Sequence, residues 1–297
     1  MEGLCEQILL QKEAAERLYK LRQAKGALEF ETIESAAVKT GDTVVDLETV
    51  SPNTAHLIIE NFMIAANVET AEFLESKNVA SIRRVVKTPA RWKSIREIAE
   101  KFGENLPAEP DARALSRFLE TRRKADAMHF PDLSLSIIKL LGAGEYVVQT
   151  PDEDTGGHFG LAVRDYAHST APNRRYADLI VQRLVKAAIE NAAPPYSIDE
   201  LKTIAAHCNE RESAARKIER LMRKIVAASL MRNRLGQVFK AIVTGITPGG
   251  TFARILRPPV DGRIVENETN LNVGEQISVR LTNVDDEKGF IDFAGER

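Results

Sequence analysis

A chain of 297 residues that is 43% hydrophobic can bury a sizeable core and should hold one large or two smaller domains. With a formal net charge of -2 its composition is ordinary; the first residues lack a signal-peptide core and no later stretch approaches the roughly 20 apolar residues of a membrane span, so a cytoplasmic protein with no membrane partner is expected. Cys5 and Cys208 lie far apart without CxxC or Cys/His spacing, which excludes a disulfide framework or structural zinc site and leaves two reduced thiols as the expectation.

Residues 4 to 25 carry Leu4, Ile8, Leu9, Leu18 and Leu21 among charges, a spacing that predicts an amphipathic helix ended by Gly26, with a short extended piece over residues 27–30. In TGDTVVDLETVSPN apolar residues alternate between turn formers, the pattern of a strand and loop, after which Asn53 or Thr54 can cap a helix through Asn67 or beyond. Pro89 breaks the next segment. Helical spacing returns over residues 94–102, 111–127 and 133–141, a strand is expected at 145–150, and the acidic, Gly-rich PDEDTGGH reads as a loop. From Pro172 to Ile189 the residues Tyr176, Leu179, Ile180, Leu184 and Ala187 recur at three and four, predicting a helix with Pro172 in its first turn.

NAAPPYSIDE is a connector whose Ser197 can cap a following helix, and residues 210–233 read as a long basic helix with Ile218, Leu221, Met222, Ile225 and Ser229 on one stripe, ended by Gly236. Residues 201 to 240 carry ten Lys/Arg against three Asp/Glu, the local basicity that a phosphate backbone requires and that a solvated helix face also produces. After Gly236 come five short alternating stretches, QVFKAIVTGI, TFARIL, GRIV, QISVRLTNV and GFIDFA, which suit a small closed barrel.

The densest chemistry lies in HFGLAVRDYAHSTAPNRRYADLIVQRLV, residues 158 to 185. A helix N-terminus offers unpaired N–H groups and partial positive charge, and Arg174 and Arg175 in the expected first turn would add planar donors that bind phosphate oxygens in pairs. Asp178, four after Arg174 and three after Arg175, can orient a guanidinium across one helical turn. Arg183, seven after Tyr176, falls on the apolar stripe and should be a buried structural ion pair, the favoured reading, or a phosphate contact. No phosphate loop, dinucleotide fingerprint, nucleophile elbow or H-E-x-x-H pair is present, and His56, His129, His158, His168 and His207 are scattered.

This stretch resembles the signature of the ribonuclease II (RNB) family at His158, Gly160, Leu161, Tyr166, Thr170, Pro172, Arg174, Arg175, Tyr176, Asp178 and Arg183, while Ser169, Ala171 and Asn173 stand where the family has an aromatic, Ser and Ile. LRQAKGALEFETIES, at Arg22, Gly26, Ala27 and Phe30, and AHLIIENFMIAAN, at Glu60, Phe62, Met63, Ala66 and Asn67, resemble two further family segments. In the family the second of these helices brings a glutamate near the RNA 3′ end, so Glu60 is either an acceptor for a ribose 2′-OH or a plain surface glutamate; Asn61 replaces the second acid of the pair. The C-terminal stretches resemble the S-one RNA-binding domain, whose aromatic positions fall on Phe239 and Phe252, each either core or stacking platform, with Lys240, Arg254, Arg257 and Arg263 beside them for the backbone.

The resemblance implies an α+β protein: a helix-rich C-terminal part of the RNB catalytic domain over 1–196, connecting basic helices over 197–234, and a five-stranded OB-fold β-barrel over 235–297. It implies 3′-to-5′ exoribonuclease chemistry on single-stranded RNA, with Arg174 as the catalytic cation, Glu60, Thr170, Arg175, Tyr176, Phe239, Lys240, Phe252 and Arg254 holding RNA, and His158, Tyr166, Pro172, Asp178 and Arg183 shaping the motif. The family hydrolyses RNA with magnesium on an aspartate cluster upstream of these segments. Here the acidic run Asp152, Glu153 and Asp154 sits in a Gly-flanked loop with no reason to converge on a metal. Magnesium is therefore expected for the complete enzyme only, with no ligand in this chain, and the chain alone is expected to be inactive without the Asp-containing N-terminal half of the RNB domain, supplied by another segment or chain. The alternative is a noncatalytic RNA-binding relative.

Overall fold

In a computed structural model, the structure describes residues 3–32, 34–41, 43–50, 53–151, 153, 155–268 and 271–296. Their contacts divide the chain into two compact units, Met1–Glu31 with Pro52–Glu212 and Thr32–Ser51 with Ser213–Arg297.

In the first unit α1 (Leu4–Lys25) stops at Gly26, whose φ of 97° lets its N–H and that of Ala27 close on the Gln23 and Arg22 carbonyls; a side chain there would also collide with Arg113. Helix α2 (Thr54–Ser76) starts where Asn53 Oδ1 accepts the His56 N–H at 3.1 Å. Its buried stripe is Ile58, Asn61, Ile64, Asn67, Ala71 and Leu74, helical spacing with two amides among apolar groups. Strands β3 (Ser81–Val85) and β4 (Glu145–Gln149) pair antiparallel, Arg83 opposite Val147. Between them α3 (Trp92–Lys101), α4 (Ala112–Ala125) and α5 (Phe130–Leu141) enclose a core of Trp92, Ile95, Leu115, Phe118, Phe130 and Ile137. A second core joins α2, β3 and β4 to α6 (Tyr176–Ile189) and the start of α7 (Ile198–Met231), with Leu74, Ile82, Ile180, Leu184 and Leu201 fully buried and each contributing about 1.5–3 kcal/mol relative to exposure.

In the second unit β1 (Glu34–Thr40) and β2 (Thr43–Val50) form an antiparallel hairpin. The strands β5 (Val238–Thr247), β6 (Gly250–Ile255), β7 (Val260–Glu266), β8 (Gln276–Asp285) and β9 (Phe290–Glu296) close a barrel in the order β5-β6-β7-β9-β8, β7 and β9 being parallel. That is a five-stranded Greek-key barrel of OB type. Phe293 fills its interior because Gly262 has no Cβ to collide with the ring. The fold is α+β, and among the described residues no helix is long and apolar enough to cross a membrane.

Three expectations change. β1 and β3 are strands that periodicity did not announce: β1 is built of residues poor in β propensity, and SIRRV is buried on both faces, so no alternation survives. The connector-capped helix and the basic helix are one helix, α7, from Ile198. And α6 begins at Tyr176 rather than in the turn after Pro172, so Arg174 is not in its first turn.

Candidate nucleic-acid interface

The late start of α6 follows from Asp178. Its carboxylate is fully buried, and Oδ1 accepts the Ala171 N–H at 2.8 Å as well as Arg175 Nη2 at 2.7 Å. Ala171 is thereby tied to the first turn of α6 from outside, and residues 172–174 form a separate turn in which the Arg174 and Arg175 N–H groups both point at the Ala171 carbonyl, at 3.2 and 3.0 Å. Pro172, without an N–H, suits the second position of such a turn. Arg175 is the helix N-cap in extended conformation and turns inward to Asp178; Thr170 Oγ1, exposed, lies 3.5 Å from the same Nη2. Arg174 is exposed, as is Tyr176. Two adjacent arginines are thus sorted, one clamped and one presented to solvent.

The segment before the turn is anchored on α2. Asn67, fully buried, accepts both the Ser169 N–H and Oγ–H at 2.9 Å, and donates its own amide to the Tyr166 hydroxyl at 3.2 Å. Gln182 of α6 donates to the Ser169 carbonyl at 2.7 Å. Behind this stands a stack of rings: Tyr166 meets His158 and His168 edge-on at 5.4 and 5.6 Å, and the Tyr146 hydroxyl lies 2.9 Å from His168 Nδ1. Burial, and then the charges of nearby arginines, pushes His158 down to about 4 and His168 down to about 3, so both rings are neutral at pH 7. Burial raises Tyr146 to about 12. Arg84 lies 4.7 Å over the Tyr146 ring and holds Glu212 through two bonds of 2.7 and 2.9 Å. His158 accepts the Leu161 N–H at 3.2 Å, a structural role for the first motif residue.

At the other end of the α2 stripe Arg22 Nη2 donates to Asn61 Oδ1 at 2.7 Å and lies 3.8 Å from the Glu60 carboxylate. Glu60 is exposed and half of its side chain remains in water. Arg183 is not on the buried stripe: it is exposed and donates to the Tyr196 hydroxyl at 2.8 Å, because the buried face of α6 runs through Ala177, Ile180, Val181, Leu184 and Ala188. Sequence reasoning missed Ser169, Arg84 and Glu212 as parts of this framework; the legible signal was two asparagines on an otherwise apolar stripe, since buried amides demand partners.

In the barrel unit Phe239 lies opposite the buried Val279 and packs against the core, while Phe252 is 37% exposed on the outer face opposite Arg263. Gly245, across from Phe252, leaves open space beside it. Arg254, its side chain largely buried, is engaged by Asp261 at 3.2 Å, and Lys240 is exposed and reaches Ser278 Oγ at 3.1 Å. The surviving outer pair is Phe252 with Arg263.

Asp152 and Asp154 of the acidic loop lie outside the described residues, and among the described ones no three His, Cys, Asp or Glu side chains gather as metal ligands.

Among known proteins the chain is similar to ribonuclease R of Escherichia coli, with 29% identity over 263 residues covering 83% of this chain and 32% of that protein. Ribonuclease R of Aquifex aeolicus is 28% identical over 312 residues, 94% of this chain and 43% of that one. The apo form of Mycoplasma genitalium RNase R shares the fold at a TM-score of 0.87 and 19% identity, covering 100% of this chain and 50% of that chain. The same protein in complex with ribose methylated single-stranded RNA gives 0.88 at 19% identity, with the same coverage. The chain therefore spans between a third and a half of the length of these relatives. Residues 237–296 match the RNase II-type exonuclease C-terminal S1 domain. The RNB domain matches residues 2–191, more than half of the chain, and the chain belongs to the RNB family.

Proposed function

We propose that this chain is the RNA-holding part of a ribonuclease II-type 3′-to-5′ exoribonuclease, over 1–196 as the C-terminal part of the RNB domain, 197–234 as basic connecting helix and 235–297 as the RNA-binding barrel. The observation that carries the reading is the sorting of Arg174 from Arg175. Asp178 occupies Arg175 and fixes the Ala171–Arg175 turn, which leaves the Arg174 guanidinium exposed, with no carboxylate partner among the described residues. A planar cation held on a rigid turn suits a phosphate whose negative charge grows during hydrolysis. Thr170 and Tyr176 flank it for the sugar–phosphate chain, Glu60 accepts a ribose hydroxyl toward the RNA 3′ end, and Phe252 and Lys240 of the barrel stack a base and follow the backbone. Similarity to ribonuclease R, one member of which binds single-stranded RNA in a solved complex, supports the same class of ligand.

Magnesium, which the family resemblance implies for hydrolysis, does not fit the described residues, since no ligand cluster forms among them. Its ligands belong to the N-terminal half of an RNB domain, in the same polypeptide or a second one. Fluorescence anisotropy with a single-stranded RNA tests the reading. Binding at low salt that weakens steeply as salt rises supports it, and absence of binding by a folded sample at low salt contradicts it. Shortening of RNA by this chain alone, with magnesium added, would contradict the division of labour.

A further inference from the structure

Arg22 crosses from α1 to α2 and is short of negative charge. The acceptor that it hydrogen-bonds is the neutral Asn61 amide at 2.7 Å, Glu60 lies beyond hydrogen-bond reach at 3.8 Å, and its Nε is buried with no acceptor. Asn61 cannot swing away: it is fully buried, and its Nδ2 donates to the Leu57 carbonyl at 2.8 Å, so its oxygen faces the guanidinium. Another nearby carboxylate, Glu29, is engaged by Arg123 at 2.5 Å and by the Tyr19 hydroxyl. Burial lowers the pKa of Arg22 and the charge of Glu60 partly restores it, the balance of a cation with too little compensation. A guanidinium has five donors in a fork that matches a phosphate in two bonds.

The position is informative as well. Asn61 and Asn67 sit six residues apart on one stripe of α2, about 9 Å of helix, and Asn67 anchors the Tyr166–Ser169 segment that leads into the Arg174 turn. Arg22 and Glu60 therefore stand about 9 Å along α2 from the anchor of the Arg174 turn, and in the reading proposed above Glu60 is the residue that meets the RNA 3′ end.

We infer that Arg22, set against neutral Asn61, is a binding group for a terminal phosphate, and that this protein holds RNA ending in a 3′-phosphate more tightly than RNA ending in a 3′-hydroxyl. The inference rests on the RNA-holding reading above. A terminal phosphate brings close to two negative charges and three acceptor oxygens, enough to attract the exposed edge of a guanidinium whose one hydrogen-bond acceptor is a neutral amide, against the repulsion of the solvent-screened Glu60.

Two 5′-labelled single-stranded RNAs of about 10 nucleotides, identical except for a 3′-hydroxyl or a 3′-phosphate, distinguish the possibilities by anisotropy in EDTA with the full chain. The expected result is a preference of roughly 5-fold for the 3′-phosphate, the scale of one partly screened charge pair. Asn61→Glu should neutralise Arg22 and abolish the preference while 3′-hydroxyl RNA still binds. Glu60→Gln, at an exposed position that leaves folding intact, should enlarge it. Equal or weaker binding of the 3′-phosphate, or a preference indifferent to Glu60→Gln, overturns the inference and leaves the RNA-holding reading standing. Binding of neither RNA overturns that reading and the inference with it.

Discussion

Asp178 Oδ1 and Arg175 Nη2 are 2.7 Å apart with the carboxylate wholly buried, and the same oxygen holds the Ala171 N–H at 2.8 Å. One atom therefore fixes both an arginine and the backbone turn before it. The second carboxylate oxygen and Arg175 Nε are buried without hydrogen-bond partners, so both bonds of the clamp run through Oδ1.

Asp178→Ala should accordingly lower stability by about 3 kcal/mol, since it leaves a partly buried guanidinium and a partly buried N–H unpaired. Asp178→Asn, which keeps an acceptor for one of the two donors, should lose less. Urea denaturation followed by circular dichroism measures both; a loss below about 1 kcal/mol for the alanine variant would mean that the turn holds itself.

Stability should also fall as the solution is acidified below pH 6.5. His158 and His168 are neutral in the folded chain, with values of about 4 and about 3, whereas both titrate near 6.5 when unfolded. The unfolded state then binds more protons throughout the window from about 6.5 down to about 4, and each histidine adds up to about 1.4 kcal/mol of lost stability per pH unit there. His168→Phe keeps a ring against Tyr166 and removes the titration, so the difference in denaturation midpoint between the two proteins should narrow as pH falls from 7 to 4. A constant difference would show that His168 is not buried in its neutral form.

The two phenylalanines of the barrel should separate cleanly. Phe252→Ala removes an outer aromatic and should weaken single-stranded RNA binding by about 1–3 kcal/mol with little change in melting temperature. Phe239→Ala deletes a ring that packs on the barrel core and should lower stability by about 2–4 kcal/mol instead. Reversed effects, read by anisotropy and thermal melts, would exchange core and platform.

Much of this was legible in the chain. The alternation after Gly236 announced all five barrel strands, and Gly26 and Asn53 marked helix ends because turn and cap chemistry is local. The motif placed Arg174, Arg175 and Asp178 together, but not which arginine the aspartate would take, because that choice depends on where α6 starts, and the start is set by a bond from Asp178 back to Ala171. Arg183 was misplaced by the same error of phase, the stripe having been drawn through Tyr176, which is exposed. Arg84 and Glu212, 128 residues apart, left no trace in any local pattern.

The presentation of Arg174 to an RNA backbone can be read from the salt dependence of RNA affinity in the wild type, Arg174→Ala and Arg175→Ala, each with its melting temperature. Arg174→Ala should melt with the wild type and bind with a log–log salt slope shallower by about 0.7, the share of one phosphate on a single strand, whereas Arg175→Ala should melt markedly earlier. An Arg174→Ala variant whose slope and affinity match the wild type, or which loses as much stability as Arg175→Ala, would contradict the assignment of Arg174 to the phosphate.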